Sequence, residues 1–83
     1  MSGDDMTPEM KNILNILHNT KDREMEVTDI ARSVELRLQE LEHFIEKLKS
    51  MGLVEIYFER GYPEKFCALT DAGRKYVMEK LRR

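Results

Sequence analysis

The sequence predicts a mainly α domain with one β-hairpin: a three-helix core, two strands and a last helix. Three observations carry this. Apolar residues recur at helical spacing in three successive segments. After Gly52 the period changes to two, as in a half-buried strand. A polar Gly- and Pro-containing stretch at 59–64 then separates two strand-like runs.

The elements follow in order. Residues 1–6 are acidic and weakly patterned and read as a loose tail; the domain is expected over 7–83. Thr7-Pro8-Glu9 combines a hydroxyl cap, a proline at the first helical position and an acid at the positive end of the helix dipole. Met10, Ile13, Leu14, Ile16 and Leu17 continue that first helix to about Asn19. The polar stretch to Glu26 reads as a connection. Thr28 is the expected cap of a short second helix, with Asp29 in its first turn and Ile30, Ala31 and Val34 on its apolar side.

A third helix starts with a shifted phase around Leu36 to Leu38. Its expected buried stripe is Leu38, Leu41, Phe44, Ile45 and Leu48. Gly52 supplies a left-handed stop, with Leu53 placed to pack back on Leu48. Val54, Ile56 and Phe58 alternate with Glu55 and Tyr57 in the first strand, and Lys65 to Leu69 form the second. Phe58 is expected to pack on the helices. Thr70 or Asp71 caps the last helix, which carries Ala72, Tyr76, Val77 and Leu81. Lys80, Arg82 and Arg83 complement its negative end. A two-stranded hairpin is marginal alone, so it must pack on the helices.

Composition narrows the function. The 83 residues are 41% hydrophobic and 36% charged, which fits one globular domain with a small core. No apolar run approaches the roughly 20 residues of a membrane span. The acidic N-terminus lacks the apolar segment of a signal peptide, so a cytoplasmic protein is expected. The single cysteine, Cys67, excludes an intramolecular disulfide and reads as a small strand residue. His18 and His43 are too scattered for a zinc site. There is no Gly-rich phosphate loop and no nucleophile with a paired base, so neither an enzyme nor a cofactor is expected.

The short helix, tight turn and longer helix within 28–54 read as a helix-turn-helix, a unit whose second helix is shaped to enter a nucleic-acid groove. This region also resembles a known family. Ile30 to Leu36 followed by Leu38 to Glu55 is similar to the core of winged helix-turn-helix transcriptional regulators of bacteria and archaea. The matching positions are Ile30-Ala31, Leu36, and Leu48 through Gly52-Leu53-Val54; Leu69-Thr70-Asp71-Ala72-Gly73 resembles the Leu-Thr-x-x-Gly that follows the second wing strand. The chain departs from the family at Glu35 and Arg37, where a turn glycine and a Ser or Thr cap are usual.

The resemblance implies a dimeric, double-stranded-DNA-binding regulator, with the third helix in the major groove and the wing on the adjacent backbone. Gln39 can bond an adenine edge, Glu42 can accept from a cytosine amino group, and His43 can reach a base or phosphate. Glu46 shares their face. Arg37, Lys47, Arg60 and Lys65 are the candidate backbone contacts. The last helix or the first is the natural dimer surface, with Tyr76 and Leu81 as apolar contacts. The alternative is a protein-interaction module that docks its acidic third helix on a basic partner without binding DNA. The recognition-face glutamates and a net charge of -2 favour that alternative. A solvated face with no binding role remains open for each residue.

Overall fold

The computed structural model describes residues 6–81. The element order is α1 (Pro8–Asn19), a 3-10 turn (Lys21–Arg23), β1 (Glu24–Glu26), α2 (Val27–Val34), α3 (Leu38–Ser50), β2 (Val54–Phe58), β3 (Lys65–Leu69) and α4 (Asp71–Tyr76). A π-helical turn, Val77–Leu81, continues α4. The expected tail at 1–5 and the terminal Arg82 and Arg83 lie outside the described residues. Met6, assigned to the tail from sequence, is instead buried in the core.

Local chemistry sets most boundaries. Thr7 Oγ1 accepts the Met10 amide at 3.1 Å, and Pro8 opens α1. The second helix begins one residue before the expected Thr28 cap. Glu26 is its N-terminal boundary and makes no capping side-chain bond, because β1 runs directly into α2 and Val27 is already buried. Glu35 ends α2 in the left-handed region at φ 58° and ψ 45°. The Leu36 amide then closes on the Ala31 carbonyl at 3.0 Å. No side chain of Arg37 caps α3; instead Glu40 reaches back and accepts the Arg37 backbone amide at 3.3 Å.

The end of α3 is a Schellman motif. Gly52 adopts φ 79°, its amide donates to the Lys49 carbonyl at 2.9 Å, and the Leu53 amide donates to the Leu48 carbonyl at 3.0 Å. Leu48 and Leu53 are both buried there. Thr70 Oγ1 donates to the Gly52 carbonyl at 2.7 Å and accepts the Gly73 amide at 2.9 Å, so one hydroxyl joins the end of α3 to the start of α4. Gly73 is required for a different reason: a Cβ there would meet the Leu53 carbonyl oxygen at 2.1 Å.

The sheet has three strands, not two. Its order is β1-β3-β2, all antiparallel, with Met25 opposite Cys67 and Cys67 opposite Ile56. The segment expected to be a plain connection therefore supplies an edge strand. Met25, Ile56 and Cys67 face the helices, and Glu24, Glu55 and Ala68 face away. The core lies between this inner sheet face and α1, α2 and α3. Met10, Ile13, Leu14, Leu17, Ile30, Leu41 and Leu48 are fully buried. Each such side chain contributes about 1.5–3 kcal/mol.

Two expected core residues are exposed. Leu38 is 44% exposed because it opens α3, a turn before the first buried position, Leu41. Phe58 is 67% exposed because burial falls from Val54 through Ile56 to the end of β2 as the hairpin leaves the helices. Ala72 is also exposed, so Gly73 and Val77 form the buried side of the last helix. No helix among the described residues is long and apolar enough to cross a membrane.

Candidate nucleic-acid interface

With Leu41, Ile45 and Leu48 turned inward, 3.6 residues per turn places Gln39, His43 and Glu46 on the opposite side of α3. All three are exposed. Glu42 lies on the flank nearest the hairpin and is half-buried; Lys47 is exposed on the other flank. Arg37 stands at the N-terminal end of α3. Arg60 is exposed at the hairpin tip, where the Tyr62 amide bonds the Glu59 carbonyl at 3.1 Å to close the turn.

The hairpin and α3 are tied together. Lys65 Nζ donates to Glu42 Oε2 at 3.0 Å, with side chains 40% and 43% exposed. Such a partly exposed pair contributes about 0.2–1 kcal/mol. Its local effect is to neutralise a carboxylate on the flank of the helix. Beneath it is a groove of about 210 Å³ with Val27, Ile45 and Ile56 as apolar floor and Glu46 and Lys49 at its rim. Among the described residues, Glu46 makes no ion pair.

Gln39 and His43 border a second, shallower hollow with Glu40 and Phe44. The His43 ring meets Phe44 edge-on, with centroids 5.9 Å apart. The eight expected contact residues thus fall into groups. Glu42, Glu46 and Lys65 share the groove, Gln39 and His43 share the hollow, and Arg37, Lys47 and Arg60 border neither. Two residues beyond those eight join the surface, and both stand out in the sequence, Lys49 as a basic residue on the third helix and Phe58 as an aromatic of the wing. Lys49 is one helical turn beyond Glu46, a spacing that was visible. Phe58 pairs with Lys65 across the hairpin and shares its face, which strand alternation alone did not distinguish from core.

The other expected roles are also placed. Tyr76 and Leu81, expected as dimer contacts, pack against the core, and Met78 is the exposed apolar residue of that segment. Cys67 is fully buried on β3, and burial pushes its thiol up to about 12. Tyr57 and Phe66 stack across the hairpin, and Tyr62 meets Phe66 edge-on.

No family model matches the sequence. No curated protein matches it either. Solved structures do match in shape. Sco3205, a MarR family transcriptional regulator from Streptomyces coelicolor solved in complex with DNA, superposes with a TM-score of 0.89 at 20% identity, over 93% of this chain and 49% of that one. MepR, a transcription regulator of the Staphylococcus aureus multidrug efflux pump MepA, gives 0.82 at 23% identity, over 89% and 54%. Sco5413, another MarR family regulator from Streptomyces coelicolor, gives 0.82 at 23% identity, over 93% and 53%. The chain spans about half the length of these proteins. It has the winged helix-turn-helix fold of MarR-family transcriptional regulators, with β2 and β3 as the wing.

Proposed function

We propose that this domain is a DNA-binding transcriptional regulator or the DNA-binding part of one, with α3 in the major groove and the wing on the adjacent backbone. The observation that carries this reading is the placement of the wing beside the uncovered outer side of α3, close enough for Lys65 to meet and neutralise Glu42. Helix and wing can then meet a duplex as one surface. The likeness to Sco3205, whose structure contains DNA, supports the same reading.

Gln39 and His43 are the base-reading candidates, and Arg37, Lys47 and Arg60 the phosphate contacts. The alternative, an acidic α3 docked on a basic protein, is weakened by the use of its carboxylates. Glu40 caps the helix and Glu42 is paired, which leaves Glu46. Two copies on palindromic half-sites fit the fold's usual mode of binding.

Amide chemical-shift mapping on addition of duplex DNA tests the proposal. Changes concentrated on α3 and the wing at 58–65, with α1 unchanged, are expected. Changes confined to α1 and α4 would refute this placement.

A further inference from the structure

We propose that the outer face of the three-stranded sheet is a docking surface for an arginine-rich segment of a partner protein. This goes beyond the DNA-binding reading and does not depend on it, since the face lies on the side of the sheet away from the helices. The register builds it. Glu24, Ala68 and Glu55 stand in one cross-strand row, and Glu26, Phe66 and Tyr57 in the next. The Tyr57 and Phe66 rings stack with centroids 5.6 Å apart at 20°. Tyr62 meets Phe66 edge-on at 5.7 Å and 85°.

The face is therefore an array of aromatic rings bordered by carboxylates. Lys65 is the sole basic residue in the three strands, and it lies on the other face, paired with Glu42. Burial first, then the neighbouring Glu24 and the charges of Glu59 and Asp22, raise the Tyr57 phenol above its ordinary range. A surface of this sign repels nucleic-acid phosphates. It suits a guanidinium, which stacks flat on a ring and donates in-plane to carboxylates; an ammonium offers only a point charge.

The test uses the 83-residue chain and two fluorescein-labelled peptides, one alternating Arg and Gly and one alternating Lys and Gly, followed by fluorescence anisotropy at low salt. The arginine peptide is expected to bind about two- to fivefold more tightly than the lysine peptide. The E24Q/E26Q/E55Q variant should lose roughly tenfold or more in affinity. E9Q/E35Q/E79Q changes the net charge equally and should lose less than about twofold. Tyr62→Ser, at a 54% exposed position, is a second variant that leaves the core intact and should weaken arginine-peptide binding. Equal binding of the two peptides, equal weakening by both triple variants, or no binding at low salt would overturn the proposal. So would self-association by sedimentation that is lost in E24Q/E26Q/E55Q, because a second copy would then be the occupant.

Discussion

Lys65 on the second wing strand and Glu42 on α3 are 23 positions apart in sequence, and their charged groups meet at 3.0 Å. The pair changes the meaning of both residues. Glu42 ceases to be a bare negative charge on the proposed DNA-binding surface, and Lys65 ceases to be a free cation. Removing the carboxylate releases the lysine toward phosphate. Glu42→Gln is therefore expected to raise affinity for duplex DNA about two- to fivefold, the equivalent of the roughly 0.5–1 kcal/mol of such a pair. Lys65→Ala should lower it. Anisotropy titrations against one duplex measure both; a loss of affinity in Glu42→Gln would mean that the carboxylate itself contacts DNA.

Gly73 tests the junction between β2 and α4. A Cβ there lies 2.1 Å from the Leu53 carbonyl oxygen, a backbone atom that also accepts the Thr70 amide at 3.0 Å. Neither neighbour can give way cheaply. Gly73→Ala should destabilise the domain by about 2 kcal/mol or more, roughly 10 °C in Tm. An unchanged melting temperature would contradict the packing described.

Glu35 tests the turn of the helix-turn-helix. It adopts φ 58° with a side chain that pays the left-handed cost, where glycine would not. Glu35→Gly should stabilise by about 0.5–1 kcal/mol, somewhat offset by the greater freedom of glycine in the unfolded chain. Thermal melting should move up by a few degrees. A clear fall would show that the glutamate side chain contributes contacts of its own.

Cys67 gives a pH dependence. Burial pushes the folded thiol up to about 12, against an ordinary value of 9.0. Between these values the native state keeps its proton and the unfolded state loses it. Stability from this residue is thus complete below about pH 9 and declines toward pH 12, by up to about 1.4 kcal/mol per pH unit. Denaturant titrations at pH 8.5 and 10.5 should show a larger drop for the native sequence than for Cys67→Ala. Equal drops would contradict the buried, protonated thiol.

Much of this fold was readable because local signals agreed with one another. Thr7-Pro8 and Gly52-Leu53 mark helix ends by chemistry that acts within a few residues, and the structure keeps both. β1 was not readable. Glu24-Met25-Glu26 is short and charged, and it becomes a strand only because β3, some forty residues later, offers a partner edge. The same limit applies to Phe58, whose alternation matches a core residue although the hairpin has already left the helices. At the candidate interface, the identities on the outer side of α3 followed from helical spacing. Their electrostatics did not, because Glu40 and Glu42 are engaged by a backbone amide and by a lysine on another element.

The most direct measurement is the affinity for random duplex DNA as a function of salt. With Arg37, Lys47 and Arg60 on phosphates and Lys65 held by Glu42, log K should fall linearly with log salt at a slope of about −3. Arg37→Glu and Arg60→Glu should each weaken binding and flatten that slope by about one. Absence of binding at low salt in the native chain, together with its appearance in E42K/E46K, would contradict the account, because the native surface of α3 would then not be a DNA-binding one.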